Sequence, residues 1–531
     1  MRLYVGIGLA AAIAMSLAAC STPGDGQTSR GPTDASSGAG SGGTMRVAIA
    51  SDPGTLDPTL ANTFEARVVF TSFCEKLYDA SNSLKIVPQL AADLPKTSAD
   101  GLTVTIALRS GVKFNDGTAF DASAVKTSLD RHLTLEGSAR TRELAAVKSV
   151  DVVDPTTLRI NLRRPFSPLG AQLADRAGLI MSPTALKKLG KNFGNSPVCV
   201  GPFTWAGRTA GSEIKFTKSN DYYDASKVRL RGVTYRIITD DNARAANLQS
   251  GDVDVAEQLD SNDIPRLKAD SNLTVKDISA ISYQGISINI GNTQGIGKPS
   301  GTIDTPLGRN PELRKAFEMA LDRDAMNEVV YNGANAVDCL PFPMQSEFRP
   351  EKPACTPYDP AQAKKLVQAS GEKTPIPVDL MIPAGSGADR LAQVIQSMAE
   401  KVGFAVRIKP QEFISALAAA RAGKFDTFLI GWSGRVDPDG NISDLVTSGG
   451  SNNFSGVSDP QLDELATDAA AASATKERAA IYVQTLERLK EIRSNIYLYH
   501  DRWFLGFSKE VTGVAYPADG IPRFKSASFT P

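Results

Sequence analysis

Apolar and polar positions along this chain follow two different periods, and they do so in alternation. Leu102, Val104, Ile106 and Leu108 alternate with smaller or polar residues, which predicts a half-buried strand. Gly111 and Asp116-Gly117 mark turns after it. Asp121 then has the chemistry of an N-cap, ahead of a helix carrying Val125 and Leu129 on one face. Leu158, Ile160 and Leu162 form a second alternating strand before Pro165. Asn310-Pro311 pairs a capping side chain with a proline whose missing N–H costs nothing at a helix start. Leu313, Ala316, Phe317, Ala320 and Leu321 follow with helical spacing, a single buried face. Asp359-Pro360 repeats the device, and Gly371 can close that helix in a left-handed cap. Ala479, Val483, Leu486 and Leu489 predict a long helix, and Ile496–Tyr499 a strand after it. The pattern is that of a mixed α/β chain without an obvious repeat, long enough for two to four units at about 150 residues each.

The first residues break this alternation. One basic residue, Arg2, precedes an apolar run from Leu3 to about Met15, then small residues and a cysteine. That order is a secretory signal, and its apolar run is short of the roughly 20 residues of a membrane span. Leu17-Ala18-Ala19-Cys20 resembles the lipobox of bacterial lipoproteins. The expectation is therefore a signal peptide over 1–19 and a diacylglycerol-modified Cys20 as the first mature residue. Ser21–Gly43 contains no aromatic residue and no aliphatic larger than Ala, so a disordered tether is expected there. It would reach about 25 Å from the bilayer. Gly38, Gly40 and Gly43 match a dinucleotide-binding spacing, but no strand precedes them, and no cofactor is expected.

Charge excludes other partners. Lys and Arg number 58 and so do Asp and Glu. Removing the signal takes away only Arg2, leaving a net charge of −1, which makes no case for nucleic acid. Besides Cys20 the chain has Cys74, Cys199, Cys339 and Cys355. In an exported chain an even number permits two disulfides, and four cysteines allow three pairings. Cys339 and Cys355 bracket a proline-rich loop whose closure needs only local folding; Cys74 with Cys199 follows by elimination. Four free buried thiols are the alternative. The two histidines, His132 and His500, have no metal-ligand spacing, and no zinc site is expected. His132 is expected on a helix surface and His500 at a strand end. No Gly-x-Ser-x-Gly elbow or phosphate-binding loop occurs. A hydrolase built on a carboxylate pair stays formally open, because such pairs cannot be read from sequence.

The segment Lys113–Leu129, with Phe114, Asp116-Gly117, Phe120, Ala122 and Val125, resembles the F-x-D-G-x-x-F-x-A-x-D-V signature of the family 5 extracellular solute-binding proteins. These are peptide, nickel and opine receptors of ABC importers. Ser123-Ala124 departs from the acidic residue usual before Val125. Gly201-Pro-Phe203, Asn220–Asp224, Leu248–Asp254, Asn289–Arg323, Phe428–Gly434 and Asp437-Pro-Asp439 match further family segments in order. The resemblance implies two α/β lobes closing about a hinge, in the manner of periplasmic binding proteins. Lobe one would hold 44–284 and 500–531, with an extra subdomain near 81–195, and lobe two 285–499. It implies an ABC permease as partner, membrane attachment through Cys20, a monomer, and no catalysis.

Peptide receptors of this family place an Asp shortly after the Gly-Trp-x-Gly strand, against the peptide ammonium. Here Arg435 follows Gly434. Three readings stay open. Asp437 or Asp439 takes the ammonium from a shifted position; Arg435 holds a carboxylate or phosphate of an opine-like or sugar-phosphate-like solute; or Arg435 pairs with Asp437 or Asp439 within a turn. Trp432 is the expected pocket wall, with Gly434 beside it. Tyr283, Phe64 and Glu65 are further candidate ligand contacts. Nickel is disfavoured because no histidine lies on a matched cleft segment.

Overall fold

The computed structural model describes residues 42–81, 83–384 and 387–530. The signal segment, Cys20 and the tether up to residue 41 lie outside these residues.

Two sheets organise the described chain. The first has seven strands, in the order Leu273–Ser279, Arg502–Ser508, Val255–Ala256, Thr44–Ile49, Gly232–Ile237, Glu213–Lys218 and Phe203–Thr209. Thr44–Ile49 lies at its centre, parallel to Gly232–Ile237 on one side and Val255–Ala256 on the other. Met45, Val47, Ala48 and Ile49 are all buried, as expected of a strand covered on both faces. The second sheet has six strands, in the order Ala336–Val337, Asn495–His500, Tyr283–Ile288, Thr427–Trp432, Ile376–Pro383 and Phe404–Gln411. The chain passes between the sheets twice, at 280–282 and at 501. The two passages are bonded to one another: the Ala280 amide donates to the Asp501 carbonyl (2.9 Å) and the Ser282 hydroxyl to the Asp501 carboxylate (2.6 Å).

A four-stranded antiparallel sheet, Lys96–Thr97, Thr103–Ala107, Thr157–Leu162 and Val147–Asp154, lies within the first part of the chain. Its buried Val104, Ile106, Leu158 and Ile160 join one apolar core with Met45, Phe73 and Phe216 of the first sheet's surroundings. The capping chemistry works as written in the residues. Asp121, Asn310 and Asp359 each accept a backbone N–H in the first turn of the helices Ala122–Thr134, Pro311–Met319 and Pro360–Ala369.

Two details differ from the sequence reading. His132 is fully buried, because positions 125, 129 and 132 lie on one face of the helix and the stripe continues through the imidazole. Its Nδ1 lies 2.9 Å from the Thr59 hydroxyl, and burial, then Arg140, pushes its pKa down to about 3. The helix Thr475–Ile492 turns a wider face inward than its apolar spacing implies: Leu486 and Leu489 are buried and Ala479 and Val483 half-buried, and Arg478, Tyr482 and Thr485 are buried beside them.

The sulfurs of Cys74 and Cys199 are 1.97 Å apart, and those of Cys339 and Cys355 2.05 Å. The first pair spans 125 residues and the second 16. In the loop-entropy account, losing the first should cost about 2 kcal/mol more than losing the second. Urea unfolding of Cys74→Ala/Cys199→Ala and Cys339→Ala/Cys355→Ala proteins checks this, and an equal loss contradicts it.

Candidate functional site

The strand Thr427–Trp432 pairs antiparallel with Tyr283–Ile288, and Tyr283 lies directly opposite Trp432. The chain then turns at Gly434, whose φ is +75°. A Cβ there would lie 2.2 Å from the Ile281 carbonyl oxygen, so backbone angle and space both demand glycine. The helix Asp439–Val446 follows and supplies Asn441. Its side-chain oxygen accepts from Trp432 Nε1 (3.0 Å) and from the Arg435 amide (2.9 Å), and its NH2 donates to the Arg435 carbonyl (3.2 Å). One amide thus fixes both the indole and the backbone that carries the arginine.

The Arg435 guanidinium lies over the Trp432 ring, 4.3 Å from its centroid. Its Nε is 2.7 Å from Asp175 Oδ2, a contact of charges without an aligned hydrogen bond. Asp175 belongs to the first-sheet half of the chain. Its Oδ1 accepts from Arg67 Nε at 3.1 Å. The Nη1 atoms of Arg67 and Arg435 each donate to Ser433 Oγ at 3.3 Å. Close by, Arg140 pairs with Glu143 at 2.5 Å and donates to the Ala61 carbonyl, while Arg176 donates to the Ala61 and Thr63 carbonyls. All four arginines are at least nine-tenths buried.

Four guanidinium groups here face two carboxylates, and their ionisation reflects the excess. Burial alone would raise Asp175, but Arg67, Arg435 and Arg176 hold it well below the usual carboxylate range. Burial pushes Arg435 down to about 10, with Arg67 adding repulsion against the attraction of Asp175. Burial and the neighbouring Arg140 lower Arg176 well below the ordinary arginine value. The Nε atoms of Arg140 and Arg176 have no hydrogen-bond partner.

The other residues singled out from sequence fall in several places. Asp437 does not face Arg435; both its oxygens accept from Arg478, at 2.8 and 2.9 Å. Asp439 accepts from the Ser443 hydroxyl and from Gln172 Nε2. Neither is the partner of Arg435, because the turn points them toward the helix Thr475–Ile492 and the helix Asp439–Val446. Tyr283 is buried edge-on against Tyr497, with centroids 5.0 Å apart. Phe64 packs on Trp503 (4.8 Å), and Glu65 is buried beside it at the start of the helix Phe64–Phe73. Arg67, Arg140, Asp175 and Arg176 escaped the sequence reading. Their one local signal is charge set among apolar neighbours, as at Arg67 within Phe64–Phe70.

The two halves meet along this line. The Ser167 amide donates to the Ala470 carbonyl (2.8 Å), Arg142 to the Thr447 hydroxyl (3.0 Å) and Gln172 to Asp439 (3.3 Å). A space of about 20 Å³ is left between Arg435, Trp432, Glu143 and Asp439. A larger cavity of about 310 Å³ borders Arg67, Asp175 and Arg176 on the first-sheet side and continues to Arg523, with no residue from the second sheet.

The profile of the bacterial extracellular solute-binding proteins, family 5, middle region, matches residues 85–454. The chain belongs to this family. It is 30% identical over 500 residues to the glutathione-binding protein GsiB of Pectobacterium atrosepticum, covering 91% of this chain and 94% of that protein. Among solved structures, the fold matches the periplasmic binding protein AgaA of Agrobacterium in complex with agropinic acid, with a TM-score of 0.82 and 25% identity, over 92% of this chain and 99% of that one. It also matches DppA of Helicobacter pylori in complex with the peptide STSA, with a TM-score of 0.83 and 23% identity, over 92% and 98%. This family 5 protein is thus a two-lobed substrate-binding component of an ABC importer and not an enzyme, so the hydrolase alternative falls away. No helix among the described residues is long and apolar enough to cross a membrane.

Burial, then the nearby Asp437, pushes Asp439 up to about 6. A carboxyl raised above its unfolded value favours folding while protonated, and that advantage is lost as pH rises through about 6. Asp439→Asn should therefore be more stable than the parent at pH 7.5, by about 1–3 kcal/mol, with the gap closing below pH 4. Thermal unfolding across pH 4–8 measures it, and a gap that widens on acidification contradicts it. Gly434→Ala should lower the melting temperature by several degrees through strain at φ +75°.

Proposed function

We propose that this family 5 protein is the exported, lipid-anchored receptor of its importer and binds a small peptide-like anion. Glutathione, named for the GsiB relatives, is the first ligand to test. The observation that carries the reading is the buried excess of arginine between the halves: Arg67, Arg140, Arg176 and Arg435 against Asp175 and Glu143. Buried guanidinium groups without enough carboxylates favour a ligand that brings its own. Asp437 is already held by Arg478 and Asp439 by Ser443 and Gln172, so an ammonium at this point would meet cations instead of a free acid. The same excess suits an opine-like acid such as the agropinic acid bound to AgaA.

The lobes are taken as 44–284 with 500–531 and 285–499, the extra subdomain near 81–195 belonging to the first. The change of sheet at 280–282 and at 501 supports a hinge there, and the bonded pair Ser282–Asp501 would keep its two strands together as the lobes part. Ligand binding would draw Arg435 and Arg67 onto the ligand carboxylate and shift the population toward the closed form. A monomer on a tether at Cys20 would present that closed form to the permease at high effective concentration.

Calorimetric titration of the purified protein with glutathione, agropinic acid and short peptides tests the ligand. Stoichiometric binding of an anion without turnover is expected. Arg435→Ala should weaken it by about 1.5–3 kcal/mol, and unchanged affinity in a folded variant removes the anion reading. Labelling cells with a radioactive fatty acid should mark the parent protein and leave Cys20→Ala unlabelled.

A further inference from the structure

The C-terminal edge of the first sheet, where its central strands Thr44–Ile49 and Val255–Ala256 end, holds a second group of buried polar atoms, opposite in sign to the arginines. Val47 and Ala48 pair in parallel with Val255 and Ala256, so Ala50, Ser51 and Glu257 leave the sheet side by side. The Glu257 amide donates to the Ala48 carbonyl (3.2 Å), and the Ala50 amide donates to Glu257 Oε1 (3.3 Å). Arg502–Ser508 runs antiparallel, with Gly506 opposite Ala256, which carries Trp503 past the same edge. The helix Phe64–Phe73 begins there, its Phe64 ring on Trp503 and Glu65 next in sequence. Glu257 is 1% exposed and Glu65 6%.

Four polar atoms at this edge are buried without an aligned hydrogen bond: Glu65 Oε2, Glu257 Oε2, Ser51 Oγ and Tyr516 OH. They come from four separate stretches of chain. Among the described residues neither glutamate has an ion-pair partner. Arg244 attracts both glutamates without pairing with either: its Nη1 donates to the Ile238 and Thr239 carbonyls, its Nη2 to Asp241 and the Gln258 carbonyl, and its Nε is without a hydrogen-bond partner. Two buried carboxyls, with the Ser51 and Tyr516 hydroxyls beside them, leave acceptor oxygens unfilled and form no ion pair among the described residues. Ser51, Phe64, Trp503 and Tyr516 are half-buried as residues, while the Ser51 and Tyr516 oxygens are turned inward with the carboxyls.

We propose that Glu65 and Glu257, with the Ser51 and Tyr516 hydroxyls, form a subsite for a cationic nitrogen of the ligand, an ammonium or guanidinium group, beside the Phe64 and Trp503 rings. The inference rests on the proposed reading that a ligand binds between the two halves, at the arginines. It deepens that reading: the ligand is then a zwitterion, with a carboxylate at the arginines and a cation at the glutamates. Glu65 and Arg67 stand two residues apart in the first turn of one helix, about 200° apart around its axis, so the same helix end carries the two sites on different faces. The electrostatics agree. Burial, then Glu65, pushes Glu257 up to about 8, and burial raises Glu65 against the partial offsets of its own amide, Ser51 and Arg244. Asp52 faces Glu65 and adds repulsion, while Tyr516, itself near Asp519, and Tyr235 face Glu257 as neutral phenols. An arriving cation favours the ionised carboxyls, so binding releases a proton near neutral pH and tightens as pH rises toward 8.5.

The probe is n-butylammonium chloride, with n-butanol and sodium chloride at matched concentration as controls. Its amine stays protonated across this pH range, as that of lysine does, with a pKa of about 10.4. Calorimetry on the full chain at pH 7 in two buffers of different ionisation heat should show butylammonium binding with proton release, and affinity should rise severalfold from pH 6 to 8.5. Glu65→Gln/Glu257→Gln should weaken it at least tenfold, whereas Lys96→Ala, at an exposed strand residue, should leave it unchanged. If the double variant does not fold, Glu257→Gln alone serves, with loss of proton release as its readout. Equal responses of parent and variant, or a butylammonium effect no larger than that of sodium chloride, overturn the subsite. Butylammonium binding without any binding of glutathione, agropinic acid or peptides would keep the subsite and remove the anionic-peptide reading instead.

Discussion

One buried carboxylate joins the two halves of this protein. Asp175, from the first-sheet half, accepts from Arg67 of its own half and meets Arg435 of the other. It is outnumbered: Arg140 and Arg176 stand close behind with only Glu143 as a second acid. An interface of this kind is held by charge and strained by charge at once. The Asp175 contacts draw the halves together, while the surplus cations repel one another.

That balance needs rigid surroundings, and the chain supplies them from both sides. Asn441 ties the Trp432 indole to the backbone of Arg435, and Gly434 lets the strand turn within contact distance of Ile281. On the other side, Arg176 and Arg140 are pinned to the Ala61 carbonyl, just ahead of the helix that carries Glu65 and Arg67. The Cys74–Cys199 bridge follows the end of that same helix, so both its ends are anchored. The ionisation of these charges follows from where the fold holds them: burial and neighbouring arginines lower Arg435 and Arg176, and the arginines hold Asp175 low.

Family membership and fold agree with relatives that bind glutathione, an opine acid and a peptide. Ligands this varied share one architecture because the sheets set the cleft while a handful of side chains set its polarity. In this chain buried charges are grouped by sign, with arginines on the line through Asp175 and glutamates at the strand ends near Trp503.

Much of the architecture was legible in residue order. Caps at Asp121, Asn310 and Asp359, and the alternation over 102–108 and 158–162, depend on neighbours within a turn or a strand, so local chemistry suffices to read them. Trp432 and Arg435 could be singled out because the motif around them is contiguous. The partner of Arg435 could not. Asp175 is 260 residues away in sequence, and nothing near either residue names the other. For the same reason His132 read as a surface residue until packing put its ring beneath Thr59, and Asp437 read as a neighbour of Arg435 until the turn directed it to Arg478. Periodicity and capping are short-range and belong to the sequence. Which buried charges meet is decided by how two sheets and their helices pack, and that is written only in three dimensions.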